Sequence, residues 1–170
     1  MGLWDRIRDA LSTVWADWQD PSEDERRRLI SGLTEACRAE QRLSTQIRQI
    51  IPVIPYEQFR RRLDMIARDD EQHTTLVQER LRILGAMMGD APHAREGLEN
   101  SFLSGPWQRL QQVLRQKREL YERYRQEANV VDDADLRSLL EKLRDDEERH
   151  QDDLIEIMIH LDAHIHETIA

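Results

Sequence analysis

The 170-residue chain has one cysteine, few aromatic side chains and no long apolar run. The lone Cys37 excludes an internal disulfide and any zinc site built from several cysteines. No stretch approaches the roughly 18 uninterrupted apolar residues that a membrane-spanning helix needs. The 25 Lys and Arg against 34 Asp and Glu lack the basic excess of a nucleic-acid binder, so no nucleic-acid partner is expected. The N-terminus also lacks the pattern of a secretory signal, which predicts a cytoplasmic protein.

What the chain does have is charge, at 35% of its residues, with only 39% hydrophobic residues. Such a composition is typical either of disorder or of long helices that each bury one narrow stripe. Apolar residues recur at alternating steps of four and three in four segments, 23–51, 56–89, 106–128 and 133–167. A disordered chain has no reason to keep this period, so the segments are predicted to be helices. The acidic residues after Asn129 supply the cap that separates the last two: Asp132, Asp133 and Asp135.

Four seams of this kind in one small domain predict an all-α fold, an antiparallel four-helix bundle. Short connections, the first with Pro52 and Pro55 and the second with the acidic cap, would form two helical hairpins. The stretch Gly85–Gly105 would be a long crossover between them. The domain is expected to span residues 21–170. Runs of like charge such as Arg60–Arg62 and Asp152–Asp153 are expected to be solvated helix faces.

Each seam is interrupted near its middle by polar residues. Burying a charge costs several kcal/mol unless it is paired or bound to a metal. Six polar residues at one level therefore predict a shared polar layer across the bundle. These residues are Glu40, Asp70, His73, Lys117, Glu147 and His150.

An internal repeat supports this layer. An offset of 77 residues superimposes His73 on His150 and places acidic residues on acidic residues just before each histidine. The same offset, without a gap, superimposes Glu40 on Lys117. The chain therefore looks like two helical hairpins related by a pseudo-twofold axis.

From about residue 25 to about residue 160, the chain resembles the ferritin-like, rubrerythrin-type four-helix bundle superfamily. That family binds two metal ions with one Glu from each of two helices and a Glu-x-x-His pair from each of the other two. Glu147 and His150 match this pair fully, whereas Asp70 and His73 match it with Asp in place of Glu. Glu40 matches the carboxylate of the first helix. The resemblance implies that these five residues are the metal ligands.

The chain departs from the family at Lys117, which occupies the position of the fourth carboxylate. Glu40, Asp70 and Glu147 less the charge of Lys117 give a formal charge of −2, which suits one divalent ion, iron or manganese, or none. We therefore predict a reduced site in a structural or adaptor module, not an enzyme. The alternative is an iron-binding oxidase or iron-handling protein that binds two irons and takes Fe(II) with dioxygen or peroxide.

The N-terminal segment, residues 1–20, is predicted to be a separate amphipathic helix. Its apolar stripe fits a membrane interface, but the segment has no basic excess to attract anionic lipid. Packing on its own bundle, on a second subunit of a homodimer, on another protein or on the inner face of a membrane all remain open. The stripe consists of Leu3, Trp4, Ile7, Leu11, Val14, Trp15 and Trp18.

Cys37 lies one turn before Glu40 on the first predicted helix. No residue at a fixed spacing could act as its base, so a nucleophilic role is not indicated. The thiol is expected to be a small buried side chain.

Overall fold

The computed structural model describes residues 23–86 and 105–169, with side chains as far as Leu161. The predicted N-terminal helix and residues 87–104 of the crossover lie outside this range. The described part contains four α-helices and no strand, which confirms the predicted all-α bundle. None of the described helices is long and apolar enough to cross a membrane. The helices are α1 (Glu23–Ile50), α2 (Glu57–Ile83), α3 (Pro106–Val130) and α4 (Ala134–Ile169).

Local sequence accounts for the ends of the helices. After α1, the 3-10 turn Ile51–Val53 carries a proline in its first turn, where the missing N–H costs nothing. The start of α4 is capped as predicted, because Asp133 Oδ1 accepts the N–H of Leu136 at 2.8 Å. α2 ends at Ile83, earlier than predicted, because Gly85 takes a left-handed conformation with φ of 73°.

Two cross-helix ion pairs fix the topology. Arg123 of α3 contacts Glu35 of α1 at 2.7 Å, and Arg62 of α2 contacts Glu156 of α4 at 2.7 Å. Each pair of helices is antiparallel, because a later contact on one helix is an earlier one on the other. Glu40 meets Lys117 where Glu35 meets Arg123, and Asp69 meets Arg149 where Arg62 meets Glu156. α2 therefore ends and α3 begins at opposite ends of the bundle, as the predicted crossover between two hairpins requires.

The apolar seams meet along the bundle axis and form one core. Cys37 is fully buried there, as predicted. Along α3 the alternating steps of four and three predict Tyr121 and Tyr124 in the seam. Tyr124 is buried, but Tyr121 is only partly covered and Leu120 is buried instead. With 3.6 residues per turn, Leu120 and Tyr121 lie on opposite flanks of the stripe that contains Lys117, and the flank of Leu120 is the one that faces the core.

One residue of each charged run also differs from the prediction. Arg62 is about three-quarters buried and contacts Asp153 as well as Glu156, so it bridges α2 and α4. Arg62 and Asp153 therefore contribute to the seam between these two helices, whereas Arg61 and Asp152 are exposed as expected.

Candidate metal centre

Polar side chains from all four helices meet at one level in the middle of the bundle. Each of the six predicted residues is at most 2% exposed. We call these six residues the polar layer. α1 contributes Glu40, α2 Asp70 and His73, α3 Lys117, and α4 Glu147 and His150.

The ammonium group of Lys117 lies among the three carboxylates of the layer. Its Nζ atom is 2.5 Å from Asp70 Oδ1, 2.8 Å from Glu147 Oε1 and 3.7 Å from Glu40 Oε2. Burial alone would lower the pKa of Lys117, but the three carboxylates raise it by more, so the net shift is upward. Lys117 is therefore charged, and its positive charge lies where the resemblance implies a metal ion.

His73 has an acceptor on each side of its ring. Nδ1 lies 3.2 Å from Glu40 Oε1, and Nε2 lies 3.2 Å from Asp146 Oδ2. Burial would lower the pKa of His73, but hydrogen bonds to Glu147 and Glu40 raise it to about 10. Because both ring nitrogens face carboxylates, His73 is a doubly protonated imidazolium that donates to both.

His150 occupies the position related to His73 by the repeat, and its outward contact is equivalent. Its Nε2 lies 3.1 Å from Asp69 Oδ2, but its Nδ1 faces Lys117 Nζ at 3.4 Å. An ammonium group can only donate, so these contacts fit a tautomer with the hydrogen on Nε2. The two rings stack with their centroids 5.8 Å apart. The exchange of Glu40 for Lys117 across the pseudo-twofold axis thus gives the two histidines different hydrogen-bonding roles.

The two carboxylates nearest to Lys117 differ in acidity. Burial raises the pKa of Asp70 to about 7, because Lys117 opposes the shift without cancelling it. Burial also acts to raise the pKa of Glu147, but the positive charge of Lys117 and the hydrogen bond from His73 oppose it, so the net shift is downward. Glu147 is therefore the permanent anion at the centre of the layer.

Three partners of the layer were not predicted from the sequence. Tyr124, expected only as part of the apolar seam, is fully buried and donates its hydroxyl hydrogen to Glu40 Oε1 at 2.9 Å. Asp69 and Asp146 appear in the repeat as acidic neighbours, but nothing showed that they hold the histidines. Their position directly before Asp70 and Glu147 was the one available signal.

No protein-family model and no curated protein sequence matches this chain. Solved structures do. A dodecameric thioferritin of Bacteroides fragilis, described as bacterioferritin-related, superimposes with a TM-score of 0.71 at 19% identity, over 84% of this chain and 90% of the other. A protein of Xanthomonas campestris pv. campestris superimposes with a TM-score of 0.76 at 18% identity, over 84% of this chain and 97% of the other. The fold is that of the ferritin-like four-helix bundle.

Four ligand atoms of this ferritin-like bundle, from Glu40, Asp70, His73 and Glu147, lie within 4.8 Å of one another. The second oxygen of each carboxylate is buried without a hydrogen-bond partner in the described part of the chain. Carboxylate oxygens with free lone pairs and unprotonated imidazole nitrogens are ligands for iron and manganese, so His73 would first have to release its Nδ1 proton. The donor set could therefore hold a metal ion, although Lys117 already donates to the other oxygens of Asp70 and Glu147.

Proposed function

We propose that this chain is a ferritin-like structural or adaptor module in which a lysine has replaced much of the charge of the metal site. The observation that supports this proposal is the ammonium group of Lys117 between Asp70 and Glu147, at 2.5 and 2.8 Å. An ion bound by these two carboxylates would lie beside a fixed positive charge. The pKa of Lys117 is raised, so the lysine does not release its proton readily to make room.

The charge of the layer supports the same conclusion. With all three carboxylates ionised, Glu40, Asp70 and Glu147 contribute −3, while Lys117 and the protonated His73 contribute +2, which leaves −1. A proton on Asp70, whose pKa is about 7, makes the layer neutral. Two divalent ions need roughly four negative charges. The layer therefore suits no metal or one divalent ion, iron or manganese, rather than two.

A second candidate function is an iron-binding oxidase of the ferritin-like kind, or an iron-handling protein. The group Glu40, Asp70, His73 and Glu147 favours it, since its ligand atoms already converge. His150 would be the fifth ligand, through the Nδ1 that now faces Lys117. When bound, Fe(II) would supply the electrons that reduce dioxygen or peroxide. Asp146 and Asp69, which accept hydrogen bonds from the outer ring nitrogens, would orient the two imidazoles.

Metal analysis distinguishes the two functions. The protein is purified from iron-supplemented cells, and the iron and manganese content per chain is measured by mass spectrometry. We expect no more than one ion in the native protein and a higher content in Lys117→Glu, because that variant restores a fourth carboxylate. Lys142→Glu is the matched control, since Lys142 is exposed on α4.

Two irons per native chain would overturn the structural assignment in favour of the oxidase. Unchanged metal content in Lys117→Glu would show that Lys117 does not limit metal binding. Circular dichroism of each variant checks that the helices have formed.

We further infer that the protein forms a homo-oligomer, a dimer at least. The similar protein of Bacteroides fragilis is dodecameric. Light scattering coupled to size exclusion would measure the assembly, and a monomer at all concentrations would contradict this proposal.

The N-terminal segment is the proposed docking element of the module. Residues 3–18 would bind a neighbouring subunit, a partner protein or the inner face of a membrane from the cytoplasmic side. Flotation with liposomes of anionic and zwitterionic lipid, with and without residues 1–20, tests the membrane case. Equal flotation of both forms would remove it.

A further inference from the structure

Arg149 lies at the surface of the seam between α2 and α4, directly over the two histidines of the polar layer. Its guanidinium contacts Asp146 Oδ1 at 2.8 Å and Asp69 Oδ2 at 3.3 Å. The same two aspartates accept hydrogen bonds from the outer ring nitrogens of the histidines. Asp146 accepts from His73, and Asp69 accepts from His150. One arginine thus reaches both histidines through one carboxylate each.

The aspartates need such a support because they are incompletely buried. The side chain of Asp146 is 17% exposed and that of Asp69 is 37% exposed, so water competes for both carboxylates. An exposed ion pair contributes little to stability by itself. The planar guanidinium nevertheless fixes two carboxylates at a set separation, which a point charge cannot do.

The repeat shows that this support exists on one side only. An offset of 77 residues superimposes Arg149 on Gln72, which is exposed and carries no charge. The two half-layers therefore share a single guanidinium, and the histidine of each half depends on the same side chain. The pair Asp69–Arg149 also joins α2 to α4, so the support crosses between the two hairpins.

We propose that Arg149 is a positioning residue that holds both histidine rings with Nδ1 toward the layer and Nε2–H toward the surface. Because a histidine ring can flip, a partner on Nε2 decides which nitrogen points inward. The assignment deepens the proposed function: it rests on the metal-reduced layer, in which hydrogen bonds rather than ions orient the rings.

The test records the imidazole ¹⁵N–¹H spectra of chelator-treated, full-length protein. In the native protein we expect slowly exchanging Nε2–H signals for both His73 and His150. Arg149→Ala is expected to lose both signals, with the helical content unchanged. The matched control is Arg144→Ala, which removes another arginine from α4, one that pairs only with its neighbour Asp145 in the described contacts.

Single aspartate variants test the contacts to His73 and to His150 separately. Asp146→Asn is expected to affect His73 alone, and Asp69→Asn is expected to affect His150 alone. Arg149→Lys is expected to keep the signal of His73, since Asp146 is one turn away on the same helix, and to lose that of His150. Native signals for both histidines in Arg149→Ala would overturn the proposal.

Complete rescue of both histidines by Arg149→Lys would also overturn it, because a point charge would then suffice. Metal analysis of the same sample keeps the two questions apart. Two irons per chain would refute the proposed function, whereas native imidazole signals in metal-poor Arg149→Ala would refute only the role of Arg149.

Discussion

The charged nitrogen of Lys117 lies at the centre of the layer, within 3.7 Å of all three carboxylates. An ammonium group has three hydrogens to donate. Asp70 Oδ1, Glu147 Oε1 and His150 Nδ1 lie within 3.4 Å of Nζ and can accept all three. The buried cation is therefore solvated by the protein, and this explains how a lysine with no exposed surface is tolerated.

His73 gives the layer a measurable dependence on pH. Its pKa is raised from 6.5 to about 10, so the folded protein holds a proton that the unfolded chain releases between these values. This contribution to stability is complete below pH 6.5 and is lost as the pH rises through about 10. We expect the urea concentration at the midpoint of unfolding to decrease as the pH rises from 7 to 9. The free energy of unfolding should decrease by up to about 1.4 kcal/mol per pH unit in this range.

The pH window isolates His73 from its neighbours. Asp70, with a pKa of about 7, contributes with the same sign mainly below the window, and Cys37 titrates above it because its pKa is raised to about 11. The comparison is His73→Gln, in which the slope should largely disappear. Equal slopes in the native protein and in this variant would contradict a protonated His73.

At the scale of the elements, the end of α2 depends on one glycine. Gly85 has a φ of 73°, and the N–H of Ala86 returns to the carbonyl oxygen of Leu81 at 2.8 Å. A side chain at such a φ costs about 1–2 kcal/mol. An added Cβ would also lie 3.0 Å from the guanidinium of Arg26, which donates to Leu84 O. Gly85→Ala is therefore expected to destabilise the protein by at least that amount in urea unfolding.

Gly32 is the control for this substitution. It lies within α1, and a Cβ there would meet only the flexible end of Glu127. Because alanine favours a helix over glycine by roughly 1 kcal/mol, Gly32→Ala is expected to be neutral or stabilising. A loss of stability in Gly32→Ala as large as in Gly85→Ala would show that the backbone conformation of Gly85 is not the cause.

The elements could be predicted from the sequence because their signals are local. Apolar spacing, the prolines and Asp133 give four helices and the cap of α4, and interrupted seams give all six members of the polar layer. The end of α2 was missed because a glycine can lie inside a helix or take the left-handed conformation just after one, and the sequence alone does not decide which Gly85 does. The aspartate partners of the histidines were missed because they come from the opposite hairpin, and a spacing along the chain does not show pairing across a bundle.

At the scale of the whole molecule, the pseudo-twofold axis explains which features are paired and which are not. Asp69 and Asp146 hold opposite histidines in equivalent ways, at 3.1 and 3.2 Å. The symmetry breaks at Glu40 and Lys117, where one half carries an anion and the other a cation. It also breaks at Tyr124, whose equivalent by the offset of 77 is the apolar Ile47.

This broken symmetry predicts that the two charges can be exchanged. Glu40→Lys alone would leave two buried ammonium groups with two carboxylates, and Lys117→Glu alone would leave four carboxylates with no lysine. Uncompensated buried charge costs about 3–5 kcal/mol, so each single variant should be strongly destabilised in chelator. The double variant restores one lysine and three carboxylates with the two halves interchanged.

We expect the double variant, measured by urea unfolding, to be more stable than the sum of the two single changes predicts, by at least about 2 kcal/mol of coupling energy. Its free energy of unfolding should remain lower than that of the native protein, because the hydroxyl of Tyr124 would lose the acceptor that Glu40 provides at 2.9 Å. Coupling near zero would mean that residues 40 and 117 do not share one electrostatic environment. Since Nζ of Lys117 lies 3.7 Å from Glu40 Oε2 in a fully buried layer, the two halves should respond as a single unit.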